Sequence, residues 1–150
     1  MTDQSNTLIL QASAVALEGR AILIEGEPGV GKSSLSLALI ERGAELIGDD
    51  GVNLARQDGF DEVFAMPPPN TKGLIEVRGV GLARMDVAEP TPVGLILTLL
   101  GPDDPDGDRL PEWAPKRDIL GCRIPVLPFR PGEIAPAERA RQALTLHGRR

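Results

Sequence analysis

Apolar residues in this chain fall mainly into short runs separated by glycine and polar turn residues, a pattern typical of β-strands. Three such runs lie close together, at residues 8–10, 12–17 and 21–25. Glu18-Gly19 separates the second run from the third and predicts a tight turn, so these two strands should form an antiparallel hairpin. Further runs predict strands at residues 44–48, 51–55, 60–65, 73–77, 93–100 and 123–127.

Two segments show helical spacing of their apolar residues instead. Residues 34–42 place large aliphatic residues on one face, and Gly43 follows where a helix commonly ends. Residues 136–146 begin with a proline and place alanine and leucine on the inner face. Strands and helices in this order predict an α/β fold, organised as one domain over residues 1–150.

The segment between the hairpin and the first helix matches the phosphate-binding pattern G-x-x-x-x-G-K-[ST] at every fixed position. Its glycines let backbone N–H groups point at phosphate oxygens, and Lys32 supplies a charge for the outer phosphates. Ser33 offers a hydroxyl to Mg²⁺. The expected ATP-binding residues are Gly26, Glu27, Pro28, Gly29, Val30, Gly31, Lys32, Ser33 and Ser34.

A hairpin that feeds this loop favours a mixed β-sheet. Ordinary P-loop kinases and GTPases build their cores from parallel strands joined by helices. A small-molecule P-loop kinase or a GTPase remains an alternative, although the base-reading N-K-x-D motif of GTPases is absent from this sequence.

Composition narrows the function classes. With 150 residues and a formal net charge of -6, the chain is large enough for a core and is not a general nucleic-acid binder. Its single cysteine, Cys122, excludes an intramolecular disulfide and is expected to be a packing residue. No apolar run reaches membrane-spanning length and no basic leader is visible, so a cytoplasmic protein without membrane contact is expected.

Two further clusters have chemistry that suits phosphoryl transfer. Asp49-Asp50 follows a predicted strand, and such a reaction needs a carboxylate near the metal and another that accepts the proton of the attacking hydroxyl. Adjacent strand residues point to opposite sides, so both can serve one site only if the strand bends, which Gly48 permits. Glu76 and Arg78 share one side of another strand and could form an active-site pair or a surface ion pair. Two glycines follow them and permit close backbone approach, which favours the active-site pair.

Residues 101–118 contain four prolines and an acidic cluster, and they are predicted to form a mobile loop.

Taken in order, these motifs resemble the catalytic domain of bacterial HPr kinase/phosphorylase. The resemblance is based on the phosphate loop, on Arg42-Gly43 followed by Asp49-Asp50, and on the Glu76-x-Arg78-Gly-x-Gly segment. It implies a short, single-domain form with a core similar to the nucleotide-binding part of phosphoenolpyruvate carboxykinase. It also implies ATP-dependent phosphorylation of a serine in the phosphocarrier HPr, and removal of that phosphoryl group by inorganic phosphate. The family tends to form rings of six, so a homo-oligomer is expected.

The resemblance also implies roles for individual residues. Asp49 matches the base toward the serine, Asp50 its neighbour at the metal, and Glu76 and Arg78 the family signature. Arg109 resembles the arginine that the family has in a flexible loop near the substrate.

One position departs from the family pattern, because Gln11 stands where a histidine is usual. Unlike an imidazole, an amide does not titrate near neutral pH, although it can donate a hydrogen bond to phosphate. The departure favours the kinase direction over phosphorolysis, and it leaves open a catalytically weak nucleotide sensor.

Overall fold

The computed structural model describes residues 6–56, 59–104 and 114–149. Its elements, in chain order, are β1 (Thr7–Leu10), β2 (Ser13–Leu17), β3 (Arg20–Glu25), α1 (Lys32–Glu41), β4 (Glu45–Gly48), β5 (Val52–Arg56), β6 (Val63–Met66), β7 (Leu74–Val77), β8 (Gly81–Arg84), β9 (Thr91–Leu99), β10 (Lys116–Ile119), β11 (Cys122–Phe129) and α2 (Pro136–His147).

The main sheet of the described residues is mixed, as the sequence predicts. Strand order runs β1-β5-β6-β9-β3-β2-β4, with β11 beside the C-terminal half of β9 and β10 beyond β11. The β3–β9 and β9–β11 pairs are parallel, whereas β2 pairs antiparallel with β3 across the Glu18-Gly19 turn. The carboxyl ends of three parallel strands therefore meet at one edge, where α/β proteins commonly bind ligands.

The central strand β3 is buried on both faces, which explains its uninterrupted apolar sequence. Ile22 and Ile24 pack toward α1 and α2, while Ala21 and Leu23 pack against residues from β5, β6 and β11. This two-sided burial fixes the carboxyl end of β3, from which the phosphate loop leaves.

Helix α1 begins at Lys32, two residues before the predicted start, and ends at Glu41, one residue before the predicted end. Gly43 has a φ of 106°, and its N–H donates to Ile40 while the N–H of Ala44 donates to Leu39. These two bonds form a Schellman motif, which satisfies the last carbonyls of the helix. Neither helix in the described parts of the chain is long and apolar enough to cross a membrane.

Two strands lie where the sequence predicts none. Strand β8 pairs with β7 in a separate two-stranded sheet. Strand β10 pairs with β11, so the prediction of a mobile loop over residues 101–118 is wrong for residues 116–118. In the same segment, Ala114 is buried, and the carbonyl of Gly101 accepts a hydrogen bond from Arg130 at 2.5 Å. Residues 105–113, with Arg109, lie outside the described residues.

Candidate active site

The phosphate loop connects the carboxyl end of β3 to the amino end of α1. Gly29 and Gly31 have φ values of 82° and 110°, in the left-handed region that L side chains rarely adopt. Gly31 is the N-cap of α1 and contributes no side-chain cap, so the first N–H groups of the helix remain available to an anion. These glycine conformations are compatible with the phosphate-binding backbone that the sequence pattern predicts.

Lys32 places its ammonium group across this loop. Its Nζ donates to the carbonyl of Gly26 at 2.9 Å and to that of Glu27 at 3.3 Å. These backbone bonds hold a positive charge at the border of the cavity, where phosphate oxygens would meet it.

Asp49 is the centre of a hydrogen-bond network that joins three other elements. Its Oδ1 accepts from the Ser33 hydroxyl at 2.6 Å and from the Ser13 hydroxyl at 3.1 Å. Its Oδ2 accepts from the backbone N–H of Glu76 at 2.9 Å. The carboxylate is thus fixed by donors from α1, β2 and β7, a degree of positioning expected of a reacting or metal-binding group.

A backbone bend lets both aspartates face the same cavity. Strand β4 ends at Gly48, and Asp50 takes a left-handed φ of 61° instead of continuing the strand. A Cβ on Gly48 would lie only 2.0 Å from the carbonyl oxygen of Gly51, so glycine is required there by a close backbone approach. The N–H of Asp50 donates to the Ser13 hydroxyl at 3.3 Å, which links the bend to the same buried serine.

The two-stranded sheet brings Glu76 and Arg78 to this cavity from a different direction. Both side chains line the cavity and are largely exposed. Within the described residues they do not form an ion pair with one another, so the surface-pair interpretation does not describe them.

A second charged cluster, which the sequence does not predict, lies beneath the phosphate loop. Arg117 donates two hydrogen bonds to Glu25, at 2.8 and 2.7 Å, and Thr98 donates a third at 2.8 Å. The Arg117 hydrogen bond holds the pKa of Glu25 below its ordinary value, against the opposing effect of burial and with help from Thr98. The same pair raises the pKa of Arg117. This bidentate contact ties β10 to the last residue before the loop.

The phosphate loop, both aspartates, Glu25 and Thr98 line one cavity of about 940 Å³, the size of a site for a whole small molecule. Of the predicted site residues in the described ranges, all but one line it; the exception is Val30, which packs partly against the core instead. Gln11 lines the cavity as well. The lining residues that sequence reasoning missed are Ser13, Glu25, Thr98, Leu99, Leu100 and Asp104.

The oxygen groups of the cavity are compatible with Mg²⁺ bound together with phosphate. Its oxygen groups, the Ser33 hydroxyl and the carboxylates of Asp49 and Asp50, are the hard ligands that Mg²⁺ prefers alongside phosphate. The Ser33 hydroxyl donates a hydrogen bond to Asp49 and not to Asp50, although Asp50 is the aspartate predicted to lie at the metal.

Comparison with known proteins gives a consistent result. Residues 4–135 match the family model described as HPr Serine kinase C-terminal domain. The HPr kinase/phosphorylase of Clostridium botulinum (strain Eklund 17B / Type B) is 38% identical over 133 residues, which cover 82% of this chain and 43% of that protein. The HPr kinase/phosphorylase of Cupriavidus necator is 37% identical over 113 residues, which cover 71% of this chain and 35% of that protein.

A solved structure is similar over nearly its whole length. The Hpr(Ser) kinase/phosphatase from Coxiella burnetii superposes with a TM-score of 0.77 at 26% identity, covering 92% of this chain and 98% of the other. By contrast, this chain spans less than half the length of the curated relatives that it matches.

Proposed function

The chain belongs to the family of HPr serine kinase C-terminal domains, and from that premise we propose that it is an ATP-dependent protein kinase that phosphorylates a serine of an HPr-type phosphocarrier. The observation that supports this proposal most strongly is the fixed position of Asp49 beside the phosphate loop, 2.6 Å from the Ser33 hydroxyl. A homo-oligomer remains part of the proposal.

In the proposed reaction, the phosphate loop and Lys32 hold the phosphates of ATP. Asp49 accepts the proton of the substrate serine as its oxygen attacks the terminal phosphorus, and the bond to the leaving diphosphate breaks. Glu76 and Arg78 face the same space, where Arg78 supplies positive charge toward the transferring group. Positioning and charge stabilisation supply most of the catalysis in such a reaction.

A bound Mg²⁺ would neutralise charge on the phosphates. Ser33 and Asp50 are the proposed ligands, because both present oxygen atoms to the cavity. In the alternative assignment the two aspartates exchange roles, so that Asp49 binds Mg²⁺ and Asp50 accepts the proton. The contact between the Ser33 hydroxyl and Asp49 supports this alternative.

Paired variants separate these assignments. Asp49→Asn should keep ATP binding and reduce phosphotransfer about 10²-fold or more, the size of a general-base effect. Asp50→Asn should instead raise the Mg²⁺ concentration needed for half-maximal activity. The assay follows label from the terminal phosphate of ATP to HPr, with ATP affinity measured by titration calorimetry. A greater loss of transfer in Asp50→Asn, with Asp49→Asn near the native rate, would reverse the two roles.

The reverse-type reaction, in which inorganic phosphate removes the seryl phosphoryl group as pyrophosphate, is the weaker part of the proposal. Gln11 lines the cavity where the family resemblance expects an imidazole, and an amide keeps its neutral form between pH 5 and 8. The same observation supports a second candidate function, a nucleotide sensor that binds ATP but transfers phosphate weakly. Saturable ATP binding without measurable labelling of HPr would favour the sensor.

A further inference from the structure

We infer that a small apolar pocket behind the phosphate loop binds the nucleobase of the nucleotide; this inference rests on the proposed function. The pocket has a volume of about 250 Å³, below the range of sites that enclose a whole ligand, and so it fits one part of a larger molecule. Its lining residues are Val30, Gly31, Ser34, Leu35, Pro131, Gly132 and Pro136.

This pocket adjoins the large cavity. Gly31 and Ser34 line both spaces, so the amino end of α1 forms their common border. The base of a nucleotide whose phosphates lie on the loop would therefore have this pocket as its neighbouring apolar space.

The large cavity has a charged lining and the small pocket an apolar one, as the phosphates and the base of a nucleotide require. Lys32, Asp49 and Arg78 line only the large cavity, where the transferring phosphate must lie. The small pocket has no charged residue in its lining, and Ser34 supplies its single polar side chain among the described residues. An apolar, uncharged slot beside the amino end of α1 suits a planar base and does not suit phosphate.

The wall opposite the phosphate loop is held in place by Arg139. Its guanidinium donates to the carbonyl oxygens of Arg130, Pro131 and Ile134, and it lies over the Phe129 ring at 5.0 Å. Because three backbone bonds fix this turn, the slot between Pro131 and Val30 is largely formed before a ligand enters it, which lowers the entropic cost of binding.

The test compares ATP with tripolyphosphate, which has the phosphates but no base. Affinities for both are measured by titration calorimetry with Mg²⁺ for the native chain, Val30→Ala and Pro131→Ala, which trim opposite walls. Each variant should weaken ATP about fivefold, the loss expected when part of an apolar contact is removed. Each should leave the affinity for tripolyphosphate unchanged, which also shows that the phosphate loop is intact.

Ile134→Ala is the matched control, because Ile134 lies on the same turn, is 81% exposed and does not line the pocket. It should leave both affinities unchanged. Unchanged ATP affinity in Val30→Ala and Pro131→Ala, or an equal loss for both ligands, would overturn the inference while leaving the proposed function standing. A native chain that binds neither ligand would instead overturn the proposed function and the inference with it.

Discussion

The Glu25–Arg117 pair should contribute measurably to the stability of the fold, and replacing Arg117 by methionine tests this. Methionine keeps much of the aliphatic side chain but removes the charge and both hydrogen bonds to Glu25, which measure 2.8 and 2.7 Å. Glu25 would keep only its bond from Thr98, although its side chain is just 19% exposed.

The magnitude follows from the burial of the two groups. Breaking a fully buried ion pair costs about 3–5 kcal/mol, whereas an exposed pair contributes about 1 kcal/mol or less. Because the Arg117 side chain is 41% exposed, solvent screening places this pair between those limits, at about 2 kcal/mol. For a domain of this size, such a loss lowers the midpoint of thermal unfolding by about 6 °C.

The effect should also depend on pH. Since Arg117 lowers the pKa of Glu25 from its ordinary value of 4.5, the pair stabilises the fold fully above about pH 4.5. That stabilisation is lost as the pH falls through the folded pKa of Glu25. The difference between native chain and variant should therefore be largest near pH 7 and should shrink below pH 4.5.

Thermal and urea unfolding, followed by circular dichroism from pH 7 to pH 3, measure this difference. Arg42→Met is the matched control, because Arg42 pairs with Glu138 at 2.6 Å with both side chains about half exposed or more. Its unfolding midpoint should not change measurably. Equal midpoints for the native chain and Arg117→Met at pH 7, or a difference that stays constant down to pH 3, would refute the reasoning.

Three further outcomes are expected. Lys32→Ala should weaken ATP binding at least tenfold in calorimetry because it removes the ammonium group at the phosphate loop; unchanged affinity with full turnover would contradict the placement of ATP there. Gly48→Ala should destabilise the fold by several kcal/mol in urea unfolding, because the added Cβ would lie 2.0 Å from the carbonyl oxygen of Gly51. Gly51→Ala is the control and should be tolerated, because a Cβ there would lie 3.8 Å from its nearest neighbour, an atom of Pro68. Gln11→His should raise phosphorolysis more than kinase activity at saturating substrates; equal gains in both directions would show that this position is structural.

Local patterns along the chain predict the elements around the phosphate loop well. The Glu18-Gly19 turn, the uninterrupted apolar sequence of β3 and the glycine after α1 each specify their own conformation through neighbouring residues. For that reason the mixed sheet could be predicted from a hairpin alone, before any long-range pairing was known.

The elements that the sequence does not predict depend on distant partners. Strand β8 shows no burial alternation, because most of its residues are exposed, so its apolar pattern cannot reveal it. Strand β10 lies after a proline-rich acidic stretch. The hydrogen bond from its Arg117 to Glu25 joins residues that are 92 positions apart in the sequence. The role of Ser13 cannot be predicted from the sequence either. A small residue in an apolar strand does not indicate that its hydroxyl will donate a hydrogen bond to Asp49.

Local opening of the molecule should occur at the β7–β8 sheet before it reaches the phosphate loop. These two short strands pair only with each other among the described residues, whereas β3 lies buried between β2 and β9. Amide protons of β7 and β8 should accordingly exchange with solvent faster than those of β3. Opening would withdraw Glu76 and Arg78 and remove one donor from Asp49, yet the phosphate loop would keep its attachment to the central sheet. Holding phosphate and assembling the transfer site are then two events with separate free energies.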